Sequence, residues 1–249
     1  MFHALVIGID DFEDPKIRRL RYARKDAESV TRLLERIAPE ERRVRTLLDS
    51  EATLREVEKR VDDLCADVRE GDVALIYVAS HGSPEPRSVG ASPSAFLILH
   101  DTEYAYIHAT GLDLETRIAD WLGRLAKASL VAVILDTCFS GVAGGRTLAG
   151  KALRGEPVSL KGLDLGQGGV VITAADKHQP AREEESLGHG VFTYHLLEAL
   201  QPPPGGPATI GVGTLYEQVA QAVRGATSGK QHPIFDGRTN LGALPVFPR

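Results

Sequence analysis

Four short, nearly continuous apolar runs constrain this chain more than any other feature. They are Ala4-Leu5-Val6-Ile7-Gly8-Ile9-Asp10, Asp72-Val73-Ala74-Leu75-Ile76-Tyr77-Val78-Ala79-Ser80, Leu130-Val131-Ala132-Val133-Ile134-Leu135, and Gly169 to Ala175. A strand reads as an unbroken apolar run when both of its faces are covered, as in a parallel sheet. Helical stripes lie between these runs: Ala27, Val30, Leu33, Leu34 and Ile37; Leu54, Val57, Val61, Leu64, Cys65 and Val68; Leu114, Ile118, Trp121, Leu122 and Leu125. Each is an apolar face at the 3.6-residue period. Phe192, His195, Leu196, Ala199 and Leu200 start a further helix that Pro202-Pro203-Pro204 ends, and Leu215, Val219, Ala222 and Val223 mark a last one. Strands alternating with helices predict an α/β fold, with an open, mostly parallel sheet flanked by helices on both faces.

The weaker signals fill in the rest. Pro39 stops the first helix, and Thr53 or Ser50 caps the second. Val44 to Leu48 and Ala95 to His100 read as short strands, and Leu244 to Phe247 as a closing strand. Ser83 to Ser94 reads as a Pro/Ser/Gly-rich loop. Gly144 to Gly169, glycine-rich and without lasting periodicity, reads as a long flexible loop. No repeat and no clear boundary divides the chain, so a single domain over residues 1–249 is expected.

Composition narrows the function classes. The 249 residues are 43% hydrophobic and 25% charged, as in a soluble globular protein. A net charge of −5 without a long basic stretch argues against nucleic-acid binding. No apolar run approaches the ~20 residues of a membrane span. The amino terminus enters a strand without a basic n-region, so no secretory signal is expected. Two cysteines, Cys65 and Cys138, are too few for a disulfide framework, and a cytoplasmic location is expected.

The chemistry sits at two strand ends. The second apolar run delivers His81-Gly82, and the third delivers Asp136-Thr137-Cys138-Phe139-Ser140-Gly141. In open α/β sheets, chemistry collects at the carboxyl ends of parallel strands near a switch in strand order. A thiol and an imidazole presented from two such ends make a nucleophile and its base. The N–H groups of Gly82 and Cys138 are placed to form an oxyanion hole, and Gly82 lets a carbonyl approach closely. The plain alternative is a buried structural Cys138 and a loop histidine, since free cysteines are mostly core residues. His100 and His189 are distant alternatives for the base. Cys65, on an apolar stripe, reads as core, as does Trp121, and His195 reads as a packing residue. His3, His108, His178 and His232 lie in no partner motif.

The order strand–His-Gly, then strand–Asp-x-Cys-x-Ser-Gly, resembles the caspase-like cysteine peptidases, in particular the metacaspase and bacterial caspase-homologue branch. Leu20-Arg21-Tyr22-Ala23-Arg24-Lys25-Asp26-Ala27 is similar to the start of the family's first helix. Ile172-Thr173-Ala174-Ala175-Asp176, followed by Gln179-Pro180-Ala181 and Glu183, resembles its Ala-rich strand and Gln-x-Ala-x-Glu loop. Gly190-Val191-Phe192-Thr193-Tyr194 resembles its Gly-x-Phe-Thr helix start, and Gln231-His232-Pro233 its late Gln-x-Pro. The resemblance implies a cysteine endopeptidase with a His81–Cys138 dyad acting on protein or peptide substrates. True caspases carry Gln-Ala-Cys-x-Gly at the nucleophile and hold an aspartate side chain with arginines. At the corresponding metacaspase-like positions this chain has Asp26 and Asp136.

Two carboxylates beside the nucleophile suit a guanidinium or ammonium, which predicts cleavage after Arg or Lys. Alternatively, Asp136 caps the Cys loop, and Asp26 is a first-turn helix acid. Arg21 and Arg24, near Asp26 in the chain, are candidates to neutralise it. The family often carries a serine two residues before the His; here that substrate-binding position is Ala79, with Ser80 next to it. Caspase-type enzymes commonly cut the segment after the nucleophile strand. Arg146, Lys151, Arg154 and Lys161 are therefore candidate self-cleavage sites of a zymogen, or charges of a solvated linker.

No cofactor and no metal site is expected. The resemblance nonetheless raises calcium dependence, with Asp10-Asp11-Phe12-Glu13-Asp14 and Glu183-Glu184-Glu185 as acidic clusters that lack EF-hand spacing. The second cluster is alternatively a lining of the substrate groove. An activating protein in a defence or cell-death-like cascade is implied by the resemblance. Two rival functions share the scaffold: a catalytically silent binding module, and a peptide ligase or other thiol acyl-transfer enzyme.

Overall fold

The structure, a computed structural model, describes residues 1–86, 93–138, 169–176, 178–237 and 242–249. Strand β1 (Phe2–Gly8) leads through α1 (Ala23–Leu34), β2 (Arg42–Leu48) and α2 (Leu54–Asp67) to β3 (Val73–Ala79). Next come β4 (Gly82–Pro86), β5 (Pro93–Leu97), α3 (Ile107–Thr110), β6 (Leu112–Asp113), α4 (Leu114–Arg124) and β7 (Leu130–Asp136). The carboxyl-terminal part holds β8 (Gly169–Thr173), β9 (Glu183–Glu184), β10 (His189–Gly190) and α5 (Val191–Leu200). It ends with β11 (Thr209–Gly211), α6 (Val212–Ala226), β12 (Ile234–Gly237) and β13 (Ala243–Pro245).

The main sheet has the order β12-β8-β7-β3-β1-β2, parallel throughout except for β12, which runs antiparallel along β8. Alternation along each strand sends side chains to two separate cores. Leu5, Ile7, Val131, Val133 and Leu135 face one, which α2 and α4 close with Val57, Val61, Leu64, Ile118 and Trp121. Ala4, Val6, Leu75, Tyr77 and Ile134 face the other, which α1, α5 and α6 close with Ala27, Val30, Phe192, Leu196, Leu215 and Val219. The predicted α/β architecture with both faces covered is the one observed.

Local chemistry sets the element ends. Thr53 caps α2, its Oγ1 accepting from Glu56 N at 3.3 Å. Asp113 caps α4 by accepting from Thr116 N at 3.4 Å. Gly8 lets α1 lie directly on β1: a Cβ there would meet Ala27 Cβ at 2.4 Å and the Ala23 carbonyl at 2.6 Å. That close approach brings the first turn of α1, with Asp26, against the end of the sheet.

Three readings change. Ser83 to Ser94 is not simply a loop, because β4 and β5 pair antiparallel, Gly82 opposite Leu97, with β6 on the far side of β5. Its Gly, Pro and Ser residues hide the strands. The side chains of Ser83, Glu85 and Ser94 are buried but bonded, with Ser83 Oγ donating to Glu85 at 2.7 Å and Ser94 Oγ to Glu115 at 3.1 Å. The antiparallel edge strand β12 gives no apolar run and is missed. The closing strand β13 pairs with β11, outside the main sheet. The Gly144–Gly169 segment lies outside the described residues except for Gly169, which opens β8. Among the described residues, no helix is long and apolar enough to cross a membrane.

Candidate active site

Register brings the two candidate catalytic residues, His81 and Cys138, to one level. In the pairing of β3 with β7, Ala79 stands opposite Asp136, and in that of β1 with β3, Gly8 stands opposite Ala79. His81 and Cys138 therefore each lie two residues past matched positions on neighbouring parallel strands, whose spacing is about 4.8 Å. The chain leaves β1 for β2 on one side and returns as β3 on the other, so the strand order switches beside this site.

His81 is fully buried, its ring 5.3 Å from that of Phe12, centroid to centroid. Its Nε2 lies 2.6 Å from the Arg18 carbonyl oxygen. A carbonyl only accepts, so Nε2 carries the proton, and in the neutral ring Nδ1 holds the basic lone pair. Ile98 N donates to the His81 carbonyl at 3.0 Å. That makes Gly82–Leu97 the non-hydrogen-bonded pair of the β4–β5 ladder, so the Gly82 N–H points away from β5.

Cys138 is 1% exposed, and its Sγ donates to the Gln179 carbonyl at 3.0 Å. A thiolate has no proton to give, so this contact belongs to the protonated thiol. Gln179 was not singled out for a site role from the sequence, although it belongs to a motif noted there.

The two acids converge on the start of α5. Asp136 Oδ2 accepts from Thr193 Oγ1 at 2.6 Å, and Thr193 Oγ1 lies 2.5 Å from the Tyr77 hydroxyl. Asp26 Oδ1 lies 2.6 Å from His189 Nδ1, and Oδ2 accepts from Gly190 N at 3.0 Å. Both carboxylates are fully buried. Thr193, Tyr77 and His189 are partners that sequence reasoning missed; the Gly-x-Phe-Thr motif was the one signal for Thr193.

Arg21 and Arg24 do not serve Asp26 in this arrangement. Arg24 pairs with Glu28 at 3.0 Å and with Asp49 at 2.9 Å, and Arg21 with Glu185 at 3.1 Å. Side chains two apart on a helix point to different sides. Ala79 is buried with its carbonyl accepting from Ile9 N at 3.0 Å, and the neighbouring Ser80 hydroxyl donates to Ile98 O at 2.7 Å. Arg146, Lys151, Arg154 and Lys161 lie outside the described residues.

Several of the other histidines and acids have structural partners. His100 Nδ1 meets the Asp11 carbonyl at 2.8 Å, and His3 Nε2 meets Asp72 at 3.0 Å. Burial lowers the His195 imidazole below its usual range, with Glu198 pulling partly back. Cys65 is core, and burial pushes its thiol up. Asp10 accepts from Ala23 N at 2.7 Å at the start of α1, and Asp14 accepts from Lys16 N at 2.9 Å and Tyr104 N at 2.8 Å. Those bonds, the Lys16 N–H first, hold the Asp14 carboxyl below its ordinary value. Glu183 accepts from Tyr22 N at 3.0 Å. Among the described residues, no group of three or more His, Cys, Asp or Glu side chains is arranged to hold a metal ion.

Comparison with known proteins agrees with this architecture. A crystal structure of a structural-genomics protein from Geobacter sulfurreducens is similar at a TM-score of 0.69 and 19% identity, covering 95% of this chain and 94% of that one. At that identity the likeness speaks for the fold alone. No curated protein matches the sequence. The family model of the caspase domain matches residues 1–244, nearly the whole chain, and the chain therefore belongs to the caspase-domain family of cysteine peptidases.

Proposed function

We propose that the chain is an active cysteine endopeptidase that cleaves after Arg or Lys, with Cys138 as nucleophile and His81 as its proton carrier. The observation that carries this reading is the register of β3 with β7. It levels the two residues past the sheet while Arg18 O holds the His81 ring with Nδ1 as the basic nitrogen. In the reaction, Cys138 Sγ bonds to the scissile carbonyl carbon, and its proton passes to His81 Nδ1. The carbonyl oxygen takes the negative charge and is held by the N–H groups of Gly82 and Cys138. The C–N bond then breaks as His81 gives the proton to the leaving amine. A water, deprotonated by His81, hydrolyses the thioester and restores the thiol.

Asp26 and Asp136 support the basic specificity. Gly190, His189 and Thr193 are among their hydrogen-bond partners, and two fully buried carboxylates near this strand end are complementary to a cation that can bind them bidentately. A P1 guanidinium supplies that cation, with Ala79 lining the same strand end. In this reading the protein is cytoplasmic, works without a resident cofactor and acts on exposed basic sites of protein substrates. Cutting at Arg146, Lys151, Arg154 or Lys161, or binding of an activating protein, switches it on.

The test is a matched peptide panel with Arg, Lys, Asp or Ala at P1, read by product mass, with and without calcium. Cleavage after Arg and Lys, lost in Cys138→Ala, is expected. Asp26→Asn and Asp136→Asn are each expected to raise KM for the Arg peptide by roughly 10-fold or more, the loss of one charge-assisted bond. Cleavage after Asp overturns the pocket assignment. Ligated products point to acyl transfer, and a calcium requirement overturns the cofactor-free reading.

A further inference from the structure

Two sequence motifs have no part in the dyad, Gln179-Pro180-Ala181 and Gln231-His232-Pro233, and the structure brings them together. His232 N donates to Gln179 Oε1 at 2.6 Å, and Gln179 Nε2 lies 2.8 Å from His232 Nδ1. The preceding Gln231, fully buried, donates from Nε2 to Ala174 O at 3.0 Å and accepts at Oε1 from Arg182 N at 3.0 Å. Two consecutive residues thus hold the 174–182 loop at both ends and at its middle. The middle residue, Gln179, supplies the carbonyl to which Cys138 Sγ donates.

The hydrogen-bond roles follow without ambiguity. The His232 N–H requires an oxygen, so Gln179 presents Oε1 to it and its NH2 to the ring. An NH2 only donates, so His232 Nδ1 must be bare and accept. Protonating the ring puts a second donor against the NH2 and breaks this half of the contact. Flipping the amide to meet it would turn the NH2 onto the His232 N–H instead. Histidine is the side chain that ordinarily gains its proton between pH 8 and 5.

We propose that His232 is a positioning residue for the nucleophile. With its ring neutral, it clamps Gln179 so that the Gln179 carbonyl holds Cys138 as a thiol; protonated, it lets the carbonyl go. The inference rests on Cys138 being the nucleophile and adds a restraint on its resting form. The segments around His232 carry Asp176, His178 and Arg182 on the clamped loop and Lys230 beside it. Tyr216 and Arg224 lie on α6, Asp236 on β12, and Cys138 lies beyond Gln179; Tyr216 reaches the Pro233 carbonyl at 3.1 Å.

The test follows the rate at which iodoacetamide alkylates Cys138, read by peptide mass on the full chain. Freeing the thiol from one hydrogen bond is expected to raise the rate about fivefold in His232→Ala at pH 7.5. His232→Asn keeps an acceptor where Nδ1 stood and does not titrate, so it stays within about twofold of the native protein at that pH. On acidification to pH 5.5 the ratio of the native rate to the His232→Asn rate rises from about one towards about fivefold, because only the native clamp opens. Buried Cys65 in the same sample reports folding. If it becomes labelled in His232→Ala, Gln179→Met makes the same cut in the clamp and is read instead. Equal rates for native protein and the cut clamp at pH 7.5, or a native-to-Asn ratio that stays at one down to pH 5.5, overturn the proposal. The rates need no substrate, so a catalytically silent Cys138 would refute the proposed function while leaving the clamp readable.

Discussion

Replacing Thr193 with valine removes one hydroxyl from a buried polar chain that ties three elements at the site. Tyr77 on β3, Thr193 on α5 and Asp136 at the end of β7 are linked by contacts of 2.5 and 2.6 Å. An ionised Asp136 only accepts, so the Thr193 proton points to it and the Tyr77 hydroxyl donates to Thr193. Valine matches threonine in shape, so no cavity forms and the cost is purely polar. A hydrogen bond to a carboxylate contributes about 1.5–3 kcal/mol, and the bond between the Tyr77 and Thr193 hydroxyls adds roughly 1 kcal/mol, for a total of about 3 kcal/mol. At this chain length that is roughly 6–12 °C in the melting midpoint. Thr193→Ser keeps the hydroxyl and loses one methyl, at about 1 kcal/mol. Urea unfolding followed by circular dichroism ranks the three proteins as native, Ser, then Val. In the Tyr77→Phe background the Val penalty shrinks, because the two groups share one network. A valine protein as stable as the serine protein would mean that the Thr193 hydroxyl contributes nothing to the fold.

Two further outcomes follow from the packing. Gly8→Ala drives a methyl into Ala27 Cβ at 2.4 Å and the Ala23 carbonyl at 2.6 Å, so urea unfolding should show a loss of about 1–3 kcal/mol, and an unchanged midpoint would mean that α1 yields freely. Burial depresses the His195 imidazole, so its contribution to stability is complete above the unfolded-state value, about 6.5, and is lost as pH falls through the lower folded-state value. His195→Gln should flatten the acid-side fall of the urea midpoint between pH 7 and pH 5, and an unchanged slope would assign that fall to other groups.

What the sequence discloses and what it hides divide along physical lines. The runs that deliver His81 and Cys138 are legible because a strand buried on both faces must be apolar throughout, and the helices between them because each has one apolar face. The motif around Cys138 carries the family. Strand β4 is not legible, because Gly82-Ser83-Pro84-Glu85-Pro86 has the composition of a loop and is placed by its pairing with β5, while the buried Ser83 hydroxyl is satisfied by Glu85. Nor is β12, an edge strand whose pattern is short and mixed. The partners of the two acids are hidden for another reason. His189 meets Asp26 and Thr193 meets Asp136 across long stretches of chain, a matter of topology that local pattern does not carry. Arg24 misleads in the opposite sense, since residues two apart on a helix face different sides, and Arg21, which precedes α1, pairs with Glu185 instead. His232 is the variable middle residue of the Gln-x-Pro motif, which assigns it no role, yet it completes the hold on Gln179.

If His81 and Cys138 work as the proposed pair, covalent labelling of the thiol must depend on the imidazole. A peptidyl electrophile with Arg at P1 is incubated with native protein and with His81→Ala, and the site and rate of modification are read by peptide mass. A single adduct on Cys138 is expected, formed on the order of 100-fold more slowly without the imidazole. An adduct on any other residue, or a Cys138 rate that does not change when His81 is removed, would contradict it.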